Sequence, residues 1–352
     1  MKRVKDFSSA VSKTFPGLLL CFILAFVAIK ISNLAIFSVV NDVTGNNVAI
    51  ISSEILAILL GILLGNSLKI AKTFDAGINF SLKNILALAI VLLGVKLDLK
   101  YLFNSSSLLF FIDIASVILN IAVGAVICKI LKLDKNVATL LIVGNAICGS
   151  SAIIILAPLI LANQNQISTS LIISSLLGLM AIFIYPAVGK IFAIDNNIFG
   201  IWAGATVQSV PQVLATGFSF SEEAGKLATI TKLIKVLLLA PTILLITVFR
   251  NGKTVKIKEF YRCFPLFIFG FLIMVGLNSA NCFDNVIFEY KTSDLLANIS
   301  GFLLTATMIA IGIKTNIKSC FNASFRPFVA GFISSVLVSL LILGFCYAIF
   351  NK

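Results

Sequence analysis

Asn145, Gly149, Ser150 and Ser151 interrupt an apolar run that extends from 137 to 162. An amide, a glycine and two hydroxyls fall where a membrane-crossing helix would be buried deepest. Hydrocarbon supplies no hydrogen bonds, so non-helical backbone at that depth survives only when packed in protein or lining a wet cavity. The spacing predicts a helix that unwinds over 145–149 and restarts at Ser150 and Ser151. Such a restart aims free N–H groups and the positive end of a half-helix dipole into the membrane centre, which is chemistry suited to an anion. Small residues also serve unbroken helices at close contacts, so this stretch alone leaves packing and binding both open.

A second interruption lies at 204–213, Gly-Ala-Thr-Val-Gln-Ser-Val-Pro-Gln-Val. Pro211 removes a backbone donor and frees carbonyls near Val207. Gln208 and Gln212 are one turn apart, and a continuous helix would present both amides on one face. A proline kink without a ligand is the alternative, although amides at mid-depth favour a bundle interior or a cavity. Lys232 and Lys235 follow, three apart on one face of the run that starts at Leu227. At that depth snorkelling to the surface is within reach for the shallower ammonium and marginal for the deeper. Neighbouring ammonium groups repel, and an anion or an acidic partner relieves them. Glu54 and Asp113, each inside its own apolar run, are the acidic candidates. An anion site and a structural ion-pair network are compatible readings.

The rest of the chain says what kind of protein must position these residues. It is 59% hydrophobic and 12% charged, with a mean hydropathy of +1.10, whereas soluble domains are about a quarter charged. This composition belongs to a polytopic membrane protein. The formal charge of +13 does not mark a nucleic-acid partner, because the basic residues are dealt out singly and in small groups between apolar runs. Seven cysteines without a CxxC pair make neither a disulfide framework nor a metal site, and with no histidine imidazole chemistry is excluded. No P-loop, nucleophile elbow or paired-carboxylate motif is present, so neither an enzyme nor a cofactor is expected. The run after Lys13 is too long for a cleavable signal and lacks a small-residue cleavage site.

Eleven apolar runs approach the roughly 20 residues needed to cross a bilayer, at about 16–40, 48–65, 78–95, 107–131, 137–162, 168–189, 198–218, 227–249, 264–280, 295–313 and 327–350. With the N-terminus cytoplasmic and the C-terminus periplasmic or extracellular, most Lys and Arg fall on the cytoplasmic side, as the positive-inside rule requires. The segment from Gly94 to Asn104 aligns without a gap to that from Gly312 to Asn322, sharing Gly, both lysines, Phe and Asn. Its two copies fall on opposite sides, which predicts an inverted repeat with sites near the midplane. The expected architecture is an all-α membrane domain with inverted-topology repeats and discontinuous helices. Repeat A covers about 8–131, repeat B about 226–350, and a broken-helix region of about 136–218 connects them.

Several motifs together resemble one family. They are Ala57 to Asn66, Leu92-Leu93-Gly94, Gly144 to Ile153, Phe199 to Gly204, Gln212-Val213 and Lys232 to Pro241. In these the chain resembles the YeiH-like bacterial inner-membrane proteins catalogued as sulfate exporters, a group related to cation/proton antiporters and bile-acid symporters. The resemblance implies an inverted-repeat fold with crossing broken helices. It also marks two departures. The family pattern at 206–209 resembles Ser-Ile-His-Asp where this chain has Thr-Val-Gln-Ser, so no titratable pair stands there. Lys235 replaces an arginine and loses the planar fork suited to oxyanions. The expectation is a secondary transporter of a small anion, with Asn145, Gly149, Ser150, Ser151, Gln208, Gln212, Lys232 and Lys235 as binding residues. Sodium or proton coupling and a homodimer are the partners considered. A sodium-coupled carrier of organic solutes and a non-transporting scaffold are the rival readings.

Overall fold

Long apolar segments punctuated by glycine, serine and proline fold into helices throughout, and the breaks decide where each chain segment turns. The computed structural model describes residues 2–32, 38–40, 47–49, 53–67, 71–97, 99–251, 267–280, 282–283, 286–287, 290–315 and 325–350. The helices are α1 (Lys2–Ser32), α2 (Ser53–Ser67), α3 (Lys72–Phe80), α4 (Leu86–Leu93), α5 (Leu99–Ile130), α6 (Lys135–Ala146), α7 (Ser150–Leu159) and α8 (Gln164–Ile191). They continue with α9 (Asn196–Thr206), α10 (Val210–Phe220), α11 (Glu222–Leu237), α12 (Leu239–Asn251), α13 (Phe267–Ser279), α14 (Thr292–Lys314) and α15 (Phe325–Phe350). Two short antiparallel hairpins, Ser38–Val40 with Asn47–Ala49 and Val286–Ile287 with Tyr290–Lys291, are the strands among the described residues. Six described helices are long and apolar enough to cross a membrane, or seven if α11 and α12 form one bent span. The protein is an all-α polytopic membrane protein.

The fold divides into two units, Met1–Tyr101 with Leu266–Ile317, and Leu102–Pro265 with Lys318–Lys352. In the first, helices meet through glycine. A Cβ added to Gly61 on α2 would lie 2.4 Å from the Ile309 carbonyl on α14, and one on Gly312 would lie 2.4 Å from that of Ile58. With lipid outside and protein inside equally apolar, such close backbone contact is what holds membrane helices together. Asn66 Nδ2 donates to Thr315 O at 2.8 Å, so α2 and α14 run parallel. Ser300 Oγ donates to Ala89 O at 2.7 Å, while Lys314 pairs with Asp75 at 2.8 Å. Those two contacts set α14 antiparallel to α3 and α4. Gly94 and Gly312 therefore begin their similar segments at opposite ends of the unit, the relation an inverted repeat requires. Asp98 and residues 316–322 of those segments lie outside the described residues.

The second unit corrects the reading of the fifth and seventh apolar runs as spans. At the start of α6 the Asp134 carboxylate caps the N–H groups of Asn136 and Val137, and it also accepts a 2.8 Å bond from Gln166 Nε2 in the first turn of α8. A through-going helix over the run 137–162 would hold those ends about 40 Å apart at 1.5 Å per residue. The chain instead enters along α6, breaks at 147–149 and returns along α7, so that α8 starts beside the point of entry. Val137 and Leu141 pack on Ile173 and Leu177, running α8 parallel to α6.

The second interruption repeats the device. Asp195 caps α9 through the N–H groups of Asn197 and Ile198, α9 breaks at 207–209, and α10 returns. There Asn196 Nδ2 reaches Glu223 of α11 at 3.1 Å. Gly200 approaches Ala224 and Gly204 approaches Ala228 and Thr231, which fixes α11 parallel to α9. Between the hairpins, α8 runs from the mouth of the first to the mouth of the second, where Gly189 abuts Phe199 and Phe220. Those two rings stack at 3.9 Å and close the base of the second hairpin. The hairpins thus enter from opposite sides and form an inverted pair within residues 134–237.

This geometry makes a topological prediction. Single cysteines in place of Lys135 and Gln164 are expected to react with a membrane-impermeant maleimide from one side of the membrane. Cysteines in place of Asn197 and Glu222 are expected to react from the other. Labelling of positions 135 and 164 from opposite sides would restore the spanning reading.

Candidate functional site

The tips of the two hairpins touch. Gly149, at φ +63° and ψ −125°, lies in the first break, and a Cβ added there would stand 3.5 Å from Ser209 Cβ and 3.6 Å from Gln208 Cβ in the second. A residue with a side chain rarely adopts that φ, so glycine is what allows the sharp turn. Lys232 ties the tips together: its Nζ donates to Ile147 O of the first break and, at 2.7 Å, to Val207 O of the second. Lys235, one turn on, donates to Ala205 O and, at 2.8 Å, to Ser116 Oγ on α5. Both lysines are fully buried, so neither snorkels.

Each tip joins the C-terminal end of one half-helix to the N-terminal end of the next. The carbonyl ends of α6 and α9 each carry about half a negative charge, and the two ammonium groups neutralise them. The N–H end of α7 remains, whereas that of α10 is met by a Ser209–Gln212 capping box and by Pro211, which has no N–H. Glycine as the N-cap of α7 offers no side chain, and the N–H groups of Ser150, Ser151 and Ala152 have no acceptor among the described residues. The crossing is therefore positive at its open positions.

Helix α15 runs past both tips. Asn145 Nδ2 donates to Gly331 O at 3.4 Å and Gln208 Nε2 donates to Ser335 Oγ at 3.3 Å, one turn further along. Asn145 Oδ1 and Gln208 Oε1 are buried and have no partner among the described residues. Another turn on, Ser339 accepts from Trp202 Nε1 at 3.0 Å through its carbonyl, while its hydroxyl accepts from Tyr185 at 2.9 Å. That anchors the second hairpin to α8 and α15.

Of the residues singled out in the sequence, Asn145, Gly149, Gln208, Lys232 and Lys235 are buried around the crossing. Ser150 is half-buried at the restart of α7, and Ser151 points outward and is exposed. The two glutamines do not share a helical face, because the break puts Gln208 outside α10, between the extended residues Val207 and Ser209. Gln212 turns back instead: its Oε1 accepts from Ser209 N at 3.2 Å, and its Nε2 donates to Ser175 O of α8 at 3.2 Å. Gly178 leaves room for that amide, since a Cβ there would overlap it. Of the two acidic candidates, Asp113 belongs to this unit, and Glu54 sits in the first turn of α2 in the other. Ser116, Ser174 and Ser335 were not singled out. Ser116 had a signal in its place one turn after Asp113, but single serines in apolar helices are too common to select.

Comparison with known proteins agrees with the extent of this arrangement. The family model described as "Conserved hypothetical protein 698" matches residues 16–331. The chain belongs to this family. Among its relatives, a UPF0324 membrane protein of Clostridium tetani is 29% identical, covering 93% of this chain and 95% of the relative. One of Agrobacterium fabrum is 31% identical, covering 95% and 93%, and one of Staphylococcus aureus is 31% identical, covering 92% and 93%. The UPF0324 relatives are named as membrane proteins, which agrees with the apolar spans here. The match takes in both hairpins, α11 and the start of α15 as far as Gly331, so the two tips and both lysines lie inside the family's shared region, while Ser335 and Ser339 of α15 lie beyond it.

Proposed function

We propose that this protein is a secondary transporter that moves a small anion, of the sulfate or sulfonate class, across the bacterial inner membrane by alternating access. The observation that carries the reading is the polarity of the crossing. Lys232 and Lys235 tie off the negative half-helix ends, and the positive N-terminal end of α7 is left uncapped beside them. An anion is the ligand that such an end favours, as in other sites built on helix N-termini. Hairpins that enter from opposite sides give each face of the membrane its own route to one site. Because both hairpins turn back, α8 reverses relative to the eleven-span reading and only Lys190 changes sides. The proposed cytoplasmic N-terminus and external C-terminus are unaffected. A second reading, a sodium-coupled solute carrier, draws support from Asn145 Oδ1 and Gln208 Oε1, two acceptors without a partner among the described residues and suited to a cation.

The test is a thermal-unfolding screen of detergent-purified protein against sulfate, thiosulfate and taurine, each in sodium and in potassium. A ligand that binds only the folded state stabilises it by about 2.7 kcal/mol at a hundred times its dissociation constant. A rise with an oxyanion in either salt is expected. A rise with sodium alone would transfer the case to the second reading, and no response to any anion would sink the first.

A further inference from the structure

Besides the Asn145 and Gln208 amide oxygens, the contacts at the crossing leave one carboxyl group over. Asp113 on α5 is fully buried, and among the described residues neither of its carboxylate oxygens has a hydrogen-bond partner. Lys235 and Lys232 of α11 face it closely enough for their charges to act on it, yet among the described residues no ammonium lies within 4.0 Å of it. The Lys232 amine is instead held by carbonyls of the two hairpin breaks, and the Lys235 amine by Ala205 O in the last turn of α9 and by Ser116, one turn along from Asp113. On α15 the buried thiol of Cys346, and at the first tip the thiol of Cys148, are the other titratable groups electrostatically linked to this cluster. Buried carboxyl groups nearly always have partners. In a membrane interior one without a hydrogen bond is a functional candidate in its own right.

Charge balance gives it a task. Two ammonium groups face two half-helix carbonyl ends, each worth about half a negative charge, and one carboxylate. With Asp113 ionised these charges cancel, and the positive N-terminal end of α7 is what remains. With Asp113 protonated, about one further unit of positive charge stands at the crossing. We infer that Asp113 is a proton site coupled to anion binding: the proton joins a carboxylate oxygen as the anion arrives, and the two cross the membrane together. The proton comes from the solvent, and no bond to the anion is made or broken. This inference rests on the anion reading above. By linkage, anything that makes the anion bind better to the protonated form makes the proton bind better to the anion-loaded form. Apparent anion affinity therefore rises as pH falls through the titration of Asp113.

The experiment is calorimetric titration of the full-length purified protein with sulfate, thiosulfate and taurine in two buffers of different ionisation enthalpy, which reads protons taken up per anion. About one proton per anion is expected for the wild type, from the charge balance. Asp113→Asn, which imitates the neutral acid, is expected to bind the anion with no proton uptake and with an affinity that does not change with pH. Binding by the wild type without proton uptake overturns the inference and leaves the anion reading intact. Undiminished uptake in Asp113→Asn overturns it as well, and absence of binding to every anion overturns both. Should Asp113→Asn not fold, an apolar carbodiimide, which attacks protonated carboxyl groups, reads the protonation of Asp113 in the wild type directly. Sulfate at pH 8 is expected to increase labelling of Asp113, and labelling indifferent to every anion of the panel overturns the inference.

Discussion

Lys232→Ala is expected to lower stability by about 4 kcal/mol and to abolish the response to anions. The Lys232 ammonium is the hydrogen-bond donor shared by Ile147 O and Val207 O, and both carbonyls lie in breaks where no helical N–H can replace it. A buried acceptor stripped of its partner costs about 1–3 kcal/mol, and two are stripped at once. The positive charge facing two half-helix carbonyl ends is lost as well, and a cavity remains where a fully buried side chain stood. Lys232→Met separates these causes, because it fills most of the volume without donor or charge. If the charge and the two bonds dominate, Lys232→Met melts nearly as low as Lys232→Ala in detergent and shows no anion-dependent rise. A methionine variant that melts with the wild type would show that Lys232 only fills space, and the tether between the hairpins would have to be abandoned.

That tether also marks the boundary of what the chain discloses by itself. The breaks at 147–149 and 207–209 were legible because Asn145, Gly149, Ser209 and Pro211 are costly inside apolar helices for local reasons. Whether the chain crosses at a break or turns back is set elsewhere. The apolar run 137–162 has the length of one span and equally of two helices of ten to twelve residues, so composition cannot choose. The choice is made by Asp134 meeting Gln166 and Asn196 meeting Glu223, pairs about thirty residues apart. A trace of it is visible in hindsight. Asp134 and Asp195 cap the entering helices, and Asn163 and Ser221 cap the spans that follow, giving both hairpins one punctuation.

The misread side chains have the same origin. Pairing Gln208 with Gln212 assumed a continuous helical phase, and the break resets the phase at Val210. Ser151 fell on the outer face of α7 for that reason too. Burial of Lys232 and Lys235 could not be told from snorkelling by depth, because the carbonyls that receive them belong to segments 25 to 85 residues away.

Gly149→Ala is expected to cost about 2 kcal/mol and to reduce anion uptake by reconstituted protein well below that of the wild type. The origin of the cost is conformational. At φ +63° and ψ −125° an alanine is held in backbone territory that side-chain-bearing residues avoid, a penalty of order 1–3 kcal/mol. Space contributes less, since the new Cβ would meet Ser174 Oγ at 3.3 Å and the other tip at 3.5 Å. To relieve the strain the first tip must rotate, and rotation redirects the free N–H groups of Ser150 and Ser151 away from the crossing. Gly144→Ala is the matched control. Gly144 is helical, and its added Cβ would come 2.9 Å from the Cδ1 end of Ile153, a terminal methyl that can move aside. Gaining alanine inside α6 even improves helix propensity by up to about 1 kcal/mol. The pair thus separates strain at the turn from crowding in the hairpin. Equal losses in the two variants would show that crowding governs this hairpin, and the left-handed turn at Gly149 would no longer explain how the tip is aimed. A loss confined to Gly149→Ala, larger still in Gly149→Val, would place the orientation of α7 under the control of that single residue.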